Sequence, residues 1–173
     1  MQDAPKFEIH VPGFPSSEDD ERQAGGVPAS ELPPISGQEH EMARKWEVSD
    51  EDYRREKLAG IYGRQRIETR AIALGKQVEE ILSALEPGYR LARVTWNSDT
   101  SSWRLEIATP QGKQNVVLPS ELVNDALDAQ TRRELQRLRN MVWFGLGRRD
   151  LIFEKRRSCT PEVGTLLDGN VGI

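Results

Sequence analysis

YRLARVTWNSDTSSWRLEIATPQGKQNVVL, residues 89–118, carries the pattern that decides the fold. Trp103, Leu105 and Ile107 alternate with Arg104 and Glu106, the period of a strand with one buried and one wet face. Before it, Ala92, Val94 and Trp96 share one face of a strand over 89–96, with Leu91 out of phase on the other. After it, Asn115 to Leu118 forms a third strand segment. The connections are Asn97-Ser98-Asp99-Thr100-Ser101, of hairpin-loop composition, and Thr109-Pro110-Gln111-Gly112, with Pro and Gly where a type I turn prefers them. Connections this short join antiparallel neighbours, so the stretch predicts a three-stranded antiparallel meander.

Helical signals flank the meander. Upstream, Ser49 and Asp52 fit a capping box, and Val48 with Tyr53 fits a hydrophobic staple. Asp50, Glu51 and Asp52 set negative charge at the positive end of the helix dipole. Ile67, Ala71, Leu74, Val78, Ile81 and Leu85 then form one apolar stripe, widened by Ile72 and Leu82, until Glu86-Pro87-Gly88 stops the helix. Unbroken, that helix would run about 55 Å, so Gly60 and Gly63 predict a break or kink.

Downstream, Pro119-Ser120 opens a helix with Ser120 as cap and Leu122, Val123, Ala126 and Leu127 as its apolar face. Thr131 with Glu134 restarts it, with Leu135, Leu138, Met141, Val142 and Leu146 on the new stripe, and Gly145 and Gly147 end it. Leu151-Ile152-Phe153 is either an edge strand or a docked segment. Helix, three-stranded antiparallel meander and helix predict a two-layer α+β domain over 48–157.

Composition sets this domain behind an arm. Apolar residues make up 36% and charged residues 30%, and mean hydropathy is -0.65, so a uniformly ordered globule would lack core. Residues 1–47 hold ten acids against Lys6, Arg22, Arg44 and Lys45, together with Pro5, Pro12, Pro15, Pro28, Pro33 and Pro34. Few large apolar side chains offset an ordering cost of about 1–2 kcal/mol per residue, so the sequence predicts a disordered N-terminal arm over 1–47. Its one strand-like peptide spans 7–14: Phe7, Ile9 and Val11 alternate with Glu8 and His10, and Phe14 follows. Such a peptide pairs with a sheet edge, its own or a partner's. Residues 158–173 read as a flexible tail.

The sequence narrows the chemistry. The only histidines, His10 and His40, lie in the arm and the only cysteine, Cys159, in the tail. The predicted domain therefore holds no His or Cys for triad or zinc chemistry, and no cofactor or metal is expected. Gly145-Leu146-Gly147 lacks the Lys-Ser/Thr of a P-loop. Asp125 and Asp128, three apart on one helical face, could pair for a divalent ion or acid-base work. Glu79 and Glu80 are adjacent and diverge. The opening Met1-Gln2-Asp3-Ala4-Pro5 lacks the basic and apolar regions of a signal peptide, and no stretch is apolar enough to span a bilayer. A lone cysteine fits a reducing compartment, so a cytoplasmic location is expected.

Function then turns on surfaces. Between residues 132 and 157 nine bases face three acids. Arg132, Arg133, Arg137, Arg139, Arg148 and Arg149 offer a polyanion-binding face, next to the aromatics Trp143 and Phe144. The leading expectation is a non-enzymatic protein-interaction adaptor or subunit of a larger complex. It would use Phe7, Ile9, Val11 and Phe14 of the arm with Trp143 and Phe144, and a helix-pair homodimer is compatible with it. The alternative is a nucleic-acid or other polyanion binder through the arginines, against which stands a pI near 5.4. A carboxylate-dependent enzyme is the third reading.

Overall fold

The computed structural model describes residues 6–11, 16–85 and 87–152. Phe14, Phe153, Lys155 to Arg157 and the tail with Cys159 lie outside the described residues. In chain order the elements are β1 (Glu8–His10), α1 (Glu18–Gly25), a 3-10 turn (Ala29–Glu31), α2 (Gly37–Lys45) and α3 (Asp50–Ser83). They continue with β2 (Arg90–Asn97), β3 (Ser102–Thr109), β4 (Gly112–Pro119), α4 (Ser120–Ala129) and α5 (Arg132–Gly145).

The meander is present, with β2-β3 and β3-β4 antiparallel. Two features of it differ from the expectation. The sheet has four strands in the order β1-β2-β3-β4, and it is mixed, because β1 pairs with β2 in parallel. A parallel pair needs a long crossover, and the helical run from α1 to α3 provides it. Second, the pairing between β2 and β3 shifts register between Leu91 and Arg93. An extra residue there turns Leu91 onto the same face as Val94, which resolves its phase error in the sequence.

One face of the sheet is buried by Leu91, Val94, Trp103, Leu105, Ile107, Val116 and Leu118. The helices cover that face: Ile67, Ala71, Leu74, Val78, Ile81 and Leu82 of α3 join its core, with Leu122, Val123 and Ala126 of α4 and Leu138, Val142 and Trp143 of α5. The opposite face, with Arg93, Arg104, Lys113, Asn115 and Val117, is exposed. The architecture is a two-layer α+β sandwich.

α3 is a single helix of 34 residues that passes through Gly60 and Gly63 without interruption. The predicted break is absent because the first half is not left bare. Gly63 is buried, as is Ala59 one turn earlier, and α1 lies against this half. The cap is also simpler than expected. Ser49 accepts from the backbone N–H of Asp52 at 3.1 Å, but the Asp52 carboxylate takes the Ser49 hydroxyl rather than its backbone N–H. Tyr53 meets Trp46, with ring centroids 6.2 Å apart. At α4 the cap residue is Pro119, with no side-chain bond, in place of the expected Ser120.

The described residues within 1–47 differ most from the expectation of a disordered arm, of which residues 1–5 and 12–15 lie outside the described residues. Residues 16–47 carry α1, the 3-10 turn and α2, and residues 8–10 carry β1. Apolar burial there is modest, at Phe7, Ala24, Leu32 and Ala43, so other contacts supply the order. α1 and α2 each begin with a complete capping box, Ser17 with Asp20 and Ser36 with Glu39. Cations on α3 then bind the segment through its backbone. Arg55 donates to the carbonyls of Ala24, Gly25 and Val27 at 2.9–3.1 Å, where the end of the α1 dipole favours a cation. Arg54 donates to Leu32 and Pro33, and Lys57 to Pro34. Arg66 pairs with Asp20 at 2.9 Å. Burial works against ionisation of Asp20, but its bonds to Ser17 and Arg66 prevail and hold the carboxyl below its usual value.

Glu39 gives this attachment a pH dependence. Its bond to Lys57, then those to Ser36, bring its pKa from 4.5 down to about 2. A carboxylate depressed in the folded state stabilises above its unfolded pKa, and that contribution is lost as pH falls through the folded one. Urea titrations of the native chain and of Glu39→Gln should therefore differ most above pH 4.5 and converge as pH approaches about 2.

Candidate functional site

The exposed side of the sheet meets the outer side of α5 at a groove of about 700 Å³. Asn97, Arg104, Val117, Pro119, Glu121 and Met141 line it, with the 100–102 turn at its end. β4 borders this groove and is the last strand of the sheet, so its outer backbone edge has no strand partner among the described residues. Val117 is 53% exposed because β4 alternates: Val116 and Leu118 take the core face, which sends Val117 outward. Met141 and Phe144 lie one turn apart on α5 and are also exposed, Phe144 at 52%. The end of α5 is drawn tight against the sheet at Gly145, where a Cβ would overlap the Val116 side chain. Val117 and Met141 thus stand in the open in this groove, and Phe144 is exposed one turn further along α5.

Charge around this patch is uneven. Arg104 has no hydrogen-bond or carboxylate partner among the described residues, and Arg149 stacks over the Phe144 ring at 4.7 Å from its centroid. Arg132 is exposed and likewise has no ion pair among them. Of the remaining predicted anion-binding arginines, Arg137 and Arg148 hold carboxylates at short range. Arg137 pairs with Glu134 at 2.7 Å and lies 3.8 Å from Asp125. Arg148 makes a two-pronged bond to Asp150; that bond, then Tyr89, raises the Arg148 pKa, and the bond to Arg148 lowers that of Asp150. Arg133 reaches Glu134 at 3.9 Å, and Arg139 lies over the Trp143 ring at 5.8 Å.

The aromatic pair divides between core and surface. Trp143 is buried in the main cluster, and Phe144 points outward. Phe7, predicted to meet a partner, is buried in the chain's own core, and Ile9 and Val11 pack against that core. Leu151 and Ile152, half-buried, sit in a helical turn over 149–152 rather than in a strand. Gly145-Leu146-Gly147 acts as a helix stop, with Leu146 buried and Gly147 at φ +73°.

The carboxylates predicted as a pair serve as structural ties. Asp128 accepts two bonds from Arg70, both 3.0 Å, while Asn124 accepts a third at 3.0 Å, which fastens α4 to α3. Asp125 faces Arg137 instead. His40 Nδ1 lies 2.8 Å from Asp50, and His10 sits on β1. Among the described residues no three His, Cys, Asp or Glu side chains converge as a metal site requires. None of the described helices is long and apolar enough to cross a membrane.

Val117, Met141 and Arg104 line the groove, and none of them carries a site motif in the sequence. An outward valine between two inward residues is a legible sign, whereas the helical spacing of Met141 assigns it to the apolar stripe. Arg104 carries no sequence signal beyond its wet-face position. No family model matches the chain, and no curated protein or solved structure is significantly similar to it.

The division at residues 143 and 144 is measurable. Trp143→Ala should lower unfolding stability by about 3–5 kcal/mol, and Phe144→Ala should change it by no more than about 0.5 kcal/mol, both read from urea denaturation.

Proposed function

We propose that this chain is a non-enzymatic protein-interaction module, and that it holds an extended, acidic and apolar segment of a partner protein along β4. One observation carries the reading: Val117 and Met141 are exposed in one groove beside an unpaired strand edge, with Phe144 exposed one turn further along α5. An extended segment added to that edge satisfies the free backbone groups, while its alternate side chains cover the apolar trio. Arg104 and Arg149, with no carboxylate of their own among the described residues, favour acids in the incoming segment. A single-chain surface of this kind suits an adaptor or a subunit of a larger complex. The arm peptide, placed on the chain's own sheet, leaves the role of partner-facing element to α5 and β4.

Polyanion binding is the competing class. It is weakened where Arg137 and Arg148 already hold carboxylates. Affinity capture from the native host, with nuclease treatment, separates the two. Protein partners should survive nuclease, be lost with Val117→Glu or Phe144→Glu, and persist with Arg132→Glu/Arg133→Glu. Capture that disappears with nuclease, falls steeply with salt and fails on reversal of the arginines would replace this reading with a nucleic-acid one. Capture unaffected by Val117→Glu and Phe144→Glu would remove the β4 edge from it.

A further inference from the structure

The opposite edge of the sheet carries a second, differently built surface. β1 covers only Arg93, Val94 and Thr95 of the eight-residue strand β2, so the rest of that edge has no strand partner among the described residues. Its hold rests on a few contacts. The tip of the Phe7 ring presses against the α3 backbone at Gly75, where any Cβ would overlap three ring carbons. Ile9 stands in register with Val94, and both prongs of Arg93 reach the Glu8 carboxylate, at 2.9 and 2.5 Å. That ion pair is exposed on both sides and contributes little to the hold. The glycine slot admits an aromatic ring at one position, Val94 takes an aliphatic two residues on, and Arg93 selects an acid between them.

We infer that the β2 edge with its Gly75 slot is a strand-receptor site that exchanges its own residues 7–11 for those of a second copy of this chain. The segment Phe7-Glu8-Ile9-His10-Val11 is the ligand whose fit is visible at the site, and every copy carries one. Exchange replaces each contact by an identical contact, so the two arrangements differ mainly in the cost of association. A three-residue parallel pairing leaves few backbone bonds to break before it changes hosts. The exchanged form is a dimer in which each copy completes the sheet of the other. It uses the edge remote from β4, so it stands or falls apart from the proposed partner surface.

Disulfide trapping of the full-length chain tests the exchange. Glu8 and Arg93 are register partners, so cysteines there fall within bonding reach. With Cys159→Ser throughout, a chain bearing Glu8→Cys is mixed with a size-tagged chain bearing Arg93→Cys and oxidised gently. A mixed disulfide dimer should form in excess of either homodimer and increase with protein concentration. It should be lost when the donor also carries Phe7→Ala or the receiver Gly75→Ala. Internal closure of the doubly substituted Glu8→Cys/Arg93→Cys chain, without mixed dimer at any concentration, would restrict β1 to its own chain and overturn the inference. A mixed dimer that survives Phe7→Ala would reveal random collision and overturn it equally. Failure of the doubly substituted chain to close would reject the β1-β2 register on which it rests.

Discussion

α3 presents two different surfaces along its length, and each of the other layers is fixed by one of them. Its second half offers an apolar stripe from Ile67 to Leu82, and the sheet is assembled against that stripe. Its first half offers small residues and cations, and the N-terminal segment is assembled against those. The first half is the more demanding. Backbone carbonyls that face a folded body need donors, and prolines cannot supply regular pairing. Arg54, Arg55 and Lys57 answer with bonds to six carbonyls spread over residues 24 to 34. A long helix follows from this division, since a break at Gly60 would separate the cations from the stripe.

The sequence was most informative where the pattern is local. The β3 alternation, the turn at 109–112, the α3 stripe and the caps at Ser49 and Thr131 all correspond to observed elements. It was silent where the determinant lies far along the chain. Nothing near Ala24 or Leu32 indicates that Arg55 and Arg54, some 22 to 31 residues away, will bind their carbonyls. The capping boxes at Ser17 and Ser36 were readable, but their helices are 8 and 9 residues long, too short to stand without a surface beneath them. Weighing apolar content against chain entropy therefore predicted disorder. The strand-like alternation of Phe7, Ile9 and Val11 was visible, and only Gly75, at the far side of the core, decides where it docks.

The candidate site shows a similar division. Exposure of Phe144 and burial of Trp143 follow from the helical phase of α5, which adjacent aromatics do not reveal by themselves. Of the arginines read as one anionic-ligand surface, Arg137 and Arg148 hold acids within three residues in sequence. What remains is a sheet with two unlike edges. The β4 edge is flanked by exposed apolar side chains, and the β2 edge is partly closed by the three-residue strand β1.

Residue-resolved amide hydrogen exchange of the intact chain at neutral pH tests the central claim, that the N-terminal segment is part of the fold through α3. Amides inside α1 and α2 should exchange far more slowly than those of a random coil, and those at the end of α1 should lose protection when Arg55 is replaced by Gln. Exchange at unfolded rates throughout residues 18–45, with α3 and the sheet still protected, would contradict the account and restore the acidic segment as a free arm.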